Sequence, residues 1–301
     1  MNAWLGYVFR NFGRRRLRTA AGAFGIFLTI ALLVAIQIGL DSVSTSYTDL
    51  VALQAGKADL LITAQGGHLF KPEPFDPSVV RSKLAKNPEV RGLAPRWVGI
   101  VQVQSSRGSQ DALLIGVDPK AEREFNLWGL KPEPKLSGKA CAVSQALAKR
   151  LNAKPGSQLT VSSSDYSSGT GLELETIVDR QLILPQEVRE FIVVNDASAR
   201  AILGEPDRVH VLAGTFKDPG SYYDSRDLHA SVLRLKRAGE SIAAELGMGF
   251  DVRLPKAAAI TVFQNLASPL RAIFGVFAVL ALWLDAAWRR HQKNHVEPAQ
   301  A

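Results

Sequence analysis

His291 and His295 stand four residues apart, with Glu297 close behind. On a helix that spacing puts two imidazoles on one face, a geometry able to hold a metal ion. The pair lies in a basic tail with Arg289, Arg290 and Lys293, and a solvated stretch beside a membrane is the plainer account. Cys141 is the only cysteine, so no intramolecular disulfide forms. A nucleophilic thiol needs a histidine and an orienting group near it in space, and beside Val143 this one reads as a small apolar packing residue. Gly56 and Lys57 lack the upstream glycine and the following Ser or Thr of a phosphate-binding loop. Ser167 to Gly171 (SSGTG) has no lysine in place and reads as a flexible loop. His68 falls on a Gly-rich loop, and His210 and His229 are isolated. No Ser/His/Asp set and no pair of carboxylates can be assembled. The expectation is a non-enzyme with no catalytic, cofactor-binding or metal-binding residues.

The elements that organise these residues begin with a greasy helix. Ala20 to Leu40 carries no charged side chain, and Arg10, Arg14, Arg15, Arg16 and Arg18 precede it. A helix of that length covers roughly 30 Å, the thickness of a bilayer's hydrocarbon core. Arginines at its leading end predict that this end stays in the cytoplasm. A cleaved secretory signal or a twin-arginine signal remains the alternative, with Ala52 to Ala55 the nearest cleavage candidate. Leu266 to Trp288 is the second span, centred on the charge-free stretch from Ala272 to Leu284. Its competing reading is an amphipathic or buried terminal helix. Trp283 and Trp288 suit a membrane interface, and the basic residues after them fall on the cytoplasmic side. Ala21, Gly25, Ala35 and Gly39 would let a neighbouring helix approach the first span closely.

The net charge of +8 is concentrated in the two ends. That fits cytoplasmic ends facing anionic lipid, and no basic stripe interleaved with aromatics points to nucleic acid. The organisation expected is a cytoplasmic segment 1–19, a span 20–40, a body 41–267, a span 268–288 and a cytoplasmic tail 289–301.

Within the body, Ala58 to Thr63 reads as a strand, Pro77 opens a helix carrying Val79, Val80 and Leu84, and Val90 to Val103 is strand-like. Near the other end, Val209 to Phe216 reads as a strand and Pro219-Gly220 as a turn. Asp227 to Gly247 reads as an amphipathic helix with Leu228, Val232, Leu235, Ile242 and Leu246 on one face, and Phe250 to Leu254 as a strand. Between these two strand–helix–strand units, about 104–195, short strands (Ala112 to Val117, Gln158 to Val161, Leu172 to Val178, Glu190 to Val194) surround a helix over Val143 to Leu151. Asp118-Pro119 reads as a turn and Ser162 to Gly171 as a loop. The fold class expected is α+β, a two-lobed domain with a split strand–helix–strand lobe and a β-rich insert.

In order along the chain, Arg14 to Thr19 (RRRLRT), Ala58 to Ile62 (ADLLI), Pro88 to Pro95 (PEVRGLAP), Leu114 to Pro119 (LIGVDP), Phe125 to Gly129 (FNLWG), Ser144 to Val161 (SQALAKRLNAKPGSQLTV) and Asn195 to Gly204 (NDASARAILG) form a series. Each is degenerate alone. Together they resemble the N-terminal part of a MacB/FtsX-type ABC transporter permease, a group that includes the lipoprotein-releasing permeases. The resemblance implies a two-lobed periplasmic domain and a permease dimer in the bacterial inner membrane. It also implies a separate ABC ATPase partner and mechanical rather than catalytic work. The family continues through a charged coupling segment into further membrane helices, which have no counterpart after Leu284. The expectation is a truncated or split permease subunit serving export or lipoprotein release. The competing expectation is a membrane-tethered periplasmic adaptor without transport.

Overall fold

The computed structural model describes residues 55–66, 72–163, 169–184, 188–224 and 227–262, with isolated helical positions at 27, 30, 31, 34, 264, 265, 275, 276, 279 and 283. The chain divides into two units, Thr48–Val262 and Met1–Tyr47 with Phe263–Ala301. In the second of these, the expected spans 20–40 and 268–288 lie outside the described residues apart from those isolated positions. Phe27, Ile30, Val34, Val276, Val279 and Trp283 are among them, helical and exposed. Among the described residues no helix is long and apolar enough to cross a membrane. The segments 1–19 and 289–301, with His291, His295 and Glu297, also lie outside, as do His68 and residues 164–168 of the expected Ser/Gly loop.

The unit 48–262 is mixed α+β. Among the described residues eleven strands run β1 Leu60–Ala64, β2 Val90–Ser105, β3 Gly108–Val117, β4 Leu130–Lys131, β5 Ala140–Ser144, β6 Gln158–Ser163, β7 Thr170–Val178, β8 Arg180–Gln181, β9 Phe191–Asn195, β10 Val211–Phe216 and β11 Phe250–Arg253. The helices named among the described residues are α1 Pro77–Leu84, α2 Pro119–Glu124, α3 Gln145–Leu151, α4 Asp196–Leu203, α5 Pro219–Tyr222 and α6 Leu228–Leu246. Residues 255–262 are also helical.

Nine strands form one sheet in the order β11-β1-β10-β2-β3-β9-β5-β7-β6, and β6 returns to pair with β2. One edge of β2 thus carries β10 along its first half (Val90 to Arg96) and β6 along its second (Val101 to Gln104). The other edge carries β3 from Arg96 to Ser105. The ladder β2-β3-β9-β5-β7-β6-β2 closes on itself as a six-stranded barrel, which removes the exposed edges that an open β insert would leave. The two expected lobes are both present, and the 16-residue strand β2 belongs to both. Its partners change at Arg96, which lies opposite Val211 on one side and Val117 on the other.

Local sequence explains the helix starts. Asp76 caps α1, accepting from the Ser78 amide at 2.8 Å, with Pro77 in the first turn. Asp118 caps α2 through the Lys120 and Ala121 amides at 2.9 and 3.2 Å, so the Asp118-Pro119 turn opens a short helix. The helix expected from Val143 begins two residues later. Val143 is β-branched and pairs in β5 with Ile177, and the Ser144 hydroxyl caps α3 by accepting from the Leu147 amide at 3.1 Å. Pro219-Gly220, expected as a turn, lies in the one-turn helix α5.

The core has two faces. Leu61, Ala94, Val98, Ile115, Leu127, Trp128 and Val211 belong to one cluster, which extends into the barrel through Val193 and Ala142. On α6, Val232, Leu235, Ile242 and Leu246 are buried as the 3.6-residue period requires. Helix α4 packs on β3 only because residue 116 is glycine: a Cβ there would stand 2.2 Å from the Ala199 Cβ and 3.0 Å from the Trp97 Cβ. Gly116→Ala is expected to lower the unfolding free energy by about 1–3 kcal/mol, read as a lower urea midpoint. Adding Ala199→Gly should recover much of that loss.

Candidate functional site

Asp59 stands immediately before β1, at the start of the described body, and is fully buried. A carboxylate there needs donors on both oxygens. The β10 ladder slips between Thr215 and Phe216, which frees the Phe216 amide to donate to Asp59 Oδ2 at 2.9 Å. Oδ1 accepts from the Tyr223 hydroxyl at 2.6 Å and from Lys256 Nζ at 2.6 Å. Lys256 Nζ also lies 5.0 Å from the centre of the Tyr223 ring, within cation–π range. Burial, and then the Asp59 charge, push the Tyr223 phenol well above the usual range, so it stays protonated and donates to Asp59. Lys256 belongs to the helical stretch 255–262 that follows β11. The first and last parts of the body are thus clamped to each other through one carboxylate, although 197 residues separate Asp59 from Lys256 in sequence.

A second buried charge pair sits where β2 changes partners. Arg96 and Glu122 have no exposed side-chain surface and form a two-pronged ion pair, Nε to Oε1 at 2.7 Å and Nη2 to Oε2 at 3.0 Å. Arg96 Nη1 donates to the Ile183 carbonyl. The Gln181 side-chain oxygen holds that segment in turn, accepting from the Ile183 and Leu184 amides at 2.9 and 2.8 Å. The Leu182 carbonyl then accepts from the Lys57 amide at 3.0 Å, two residues before Asp59. Strand β2, helix α2 and the 181–184 segment are therefore tied at one point, and that point connects to the start of the body.

Neither network has the makings of a reaction centre. Every polar atom faces a fixed partner, and no nucleophile or vacant acid–base pair is presented. Cys141 is fully buried in β5, where burial first, and then Glu173 and Glu175, push its thiol up to about 12. It has the low reactivity of a packing residue. His210 is buried and its Nδ1 has no partner among the described residues, while His229 is exposed on α6. Gly56 adopts φ +74° against the Leu182 carbonyl, so its role is to let the chain turn. Among the described residues, one cleft of about 430 Å³ is lined by Ser137, Lys139, Gly156, Glu173 and Glu175, and another of about 240 Å³ by Ser144, Asp179, Gln181 and Arg189. Both are polar, unlike the apolar pockets that hold small molecules. Among the described residues no group of three or more His, Cys, Asp or Glu could hold a metal ion.

Residue-by-residue reading of the sequence did not select these five side chains. For Arg96 a signal was present, a charge flanked on both sides by uncharged, mostly apolar residues, Gly92 to Pro95 and Trp97 to Val101. Glu122, Tyr223 and Lys256 had none, since each looks like an ordinary surface residue until its distant partner is placed. Asp59→Asn is expected to lose about 2–3 kcal/mol, because Lys256 keeps its charge with no counter-charge. The loss stays below that of a fully buried pair, since the Lys256 side chain is 22% exposed. Denaturant unfolding followed by the change in midpoint measures it.

The family described as MacB-like periplasmic core domain matches residues 19–205. No curated protein matches the chain. Among solved structures, the chain is similar to the extracellular domain of the noncanonic ABC-type transporter YknZ from Gram-positive bacteria. That likeness is at 10% identity and a TM-score of 0.43, over 64% of this chain and 98% of that one. It is also similar to the periplasmic region of MacB from Actinobacillus actinomycetemcomitans, at 13% identity and a TM-score of 0.45, over 70% of this chain and 95% of that one. The assignment rests on the family match, which takes in six of the seven sequence motifs and the last residue of the other: the chain belongs to the MacB-like periplasmic core domain family, the group of MacB/FtsX-type ABC transporter permeases that its motifs resemble.

Proposed function

We propose that this chain is a membrane-spanning, non-catalytic permease subunit of an ABC-type export or lipoprotein-release system, driven by an ATPase on a separate chain. The observation that carries this reading is the extent of the family match. It starts at residue 19, at the head of the charge-free run 20–40, and continues through strand β9 and helix α4. In this reading 1–19 and 289–301 are cytoplasmic, 20–40 and 268–288 span the inner membrane, and 41–267 stands in the periplasm or outside the cell. The permease works as a dimer in contact with membrane lipid.

The two buried networks suit a part that transmits movement. Asp59 and Lys256 join the beginning and the end of the body, so displacement of either reaches the sheet instead of being lost in a loose terminus. Arg96 and Glu122 hold the shared strand β2 rigid where it passes from the open sheet into the barrel. Tightly packed, fully paired interiors pass strain on, whereas mobile loops absorb it.

Topology and partnership test the reading together. Tags on both termini should be shielded from protease added outside intact spheroplasts, while a protease site placed in the β2–β3 hairpin at Gly108 is cut. A full-length bait should retain an ATPase whose hydrolysis rate changes in its presence. A tail tag reachable from the outer face, or a full-length chain that stays dissolved without detergent, would overturn the proposal.

A further inference from the structure

Strand β11 is the outermost strand of the nine-stranded sheet and, among the described residues, pairs only with β1. The parity of that ladder decides what its outer edge offers. Leu61 lies opposite Arg253 and Thr63 opposite Asp251, and the same register continues to Gln65, whose amide donates to the Gly249 carbonyl at 2.9 Å. Hydrogen-bonded pairs alternate in an antiparallel ladder, so Asp251 and Arg253 spend their backbone groups on β1. Phe250 and Val252 turn theirs outward, and among the described residues nothing pairs with them. Asp251 and Arg253 point to the same face, half-buried. Neither side chain makes an ion pair or hydrogen bond among the described residues.

We propose that this edge is a self-complementary dimer interface, on which a second copy of the chain adds its own β11 antiparallel and centred on Val252, joining two nine-stranded sheets across a two-fold axis. The Val252 residues of the two copies exchange backbone hydrogen bonds. Asp251 of each copy then lies opposite Arg253 of the other in a non-hydrogen-bonded pair, where Cβ atoms approach to about 4.5–5.5 Å. One dyad therefore creates two ion pairs from charges that are unpartnered in the single chain, as an isologous interface requires. Other arrangements are selected against. A parallel pairing in register sets Asp251 against Asp251 and Arg253 against Arg253, and centring the dyad on either residue also sets like charges opposite. A strand from an unrelated protein would need the reverse charge order, which this chain already supplies to itself.

The inference rests on the dimeric reading given above and specifies its interface. The test uses the full-length chain in detergent, with mass measured by sedimentation across a concentration range. D251R and R253D, each placing like charges opposite one another, should weaken dimerisation at least tenfold. The double variant D251R/R253D restores opposite signs and should return to within about threefold of the original, at the pair energies typical of such contacts. Val252→Cys should give a disulfide-linked dimer under mild oxidation, because hydrogen-bonded opposite residues sit about 5.5 Å apart between Cα atoms. The buried Cys141 leaves little background. Charge sensitivity with rescue, or the symmetric crosslink, supports the interface, and R253D and Val252→Cys keep the test open if D251R fails to fold. A dimer indifferent to all three charge variants and uncrosslinked through position 252 overturns this interface while leaving the dimeric reading intact. A monomer at every concentration overturns both.

Discussion

Arg96→Met is expected to remove about 3–5 kcal/mol of stability, the usual consequence of stripping one partner from a fully buried ion pair. The Glu122 carboxylate would stay in the core with no counter-charge and no route to solvent. The Ile183 carbonyl would lose its guanidinium donor as well. Glu122→Gln should fall in the same range from the other side, because it leaves the guanidinium uncompensated. The informative comparison is Arg96→Met with Glu122→Leu. Apolar replacement of both partners abolishes the desolvation penalty together with the attraction, so the double variant should recover most of the stability that either single change removes. Urea unfolding followed by the emission of Trp97 and Trp128, both buried close to this junction in the chain, measures all three variants. A midpoint for Arg96→Met equal to that of the original chain would show that the junction is not held by this pair. If the double variant is stable but fails to change the rate of an ATPase that the original chain does change, stability and the proposed coupling are separable at Arg96.

Acidification provides the second large effect. His210 lies on the strand side of the same junction, its amide donating to the Arg96 carbonyl at 3.1 Å. Its imidazole Nδ1 is buried with no partner among the described residues, and burial lowers its pKa from 6.5 to about 4. An unfolded chain therefore takes up this proton near pH 6.5, and the folded chain only near pH 4. Between those values the unfolded state binds more protons, so stability falls as the pH drops through the window and levels off below about 4. A difference of that size corresponds to roughly 3 kcal/mol between pH 7 and pH 4. Carboxylates titrate in part of the same range, so the quantity to measure is the difference between the original chain and His210→Leu. The variant should show a shallower loss of unfolding free energy between pH 6.5 and 4. Identical pH slopes in the two proteins would mean that the His210 proton is not excluded by the fold.

Much of the local structure was legible because its causes are local. The Pro77 helix, the amphipathic α6, the alternation at the end of β2 and the strands β1, β3 and β11 all follow from side-chain periods readable within a dozen residues. The split arrangement of two strand–helix–strand units around a β-rich centre follows from their order. The helix expected from Val143 missed its start by two residues because a β-branched residue at the helix boundary was claimed by a neighbouring strand. Asp118-Pro119 was visible as a break, but its role as a helix cap depends on backbone angles. The functional residues escaped because their partners are remote. Nothing near Asp59 identifies Lys256, and nothing near Arg96 distinguishes Glu122 from Glu124.

The amino-acid order by itself determined the mixed α+β class, the strands β1, β2, β3, β6, β7, β9, β10 and β11 and the helices α1, α3 and α6 of the body, the charge-free run near the start and the series of motifs that mark the family. Each of these is carried by neighbours along the chain. Tertiary structure alone decided that β6 returns to β2 and closes a barrel, that one strand serves both lobes, and that two buried charge networks hold its junctions. Those outcomes depend on which distant backbone edges and charges meet once water is excluded, a competition among long-range pairings that leaves no periodic trace in the sequence.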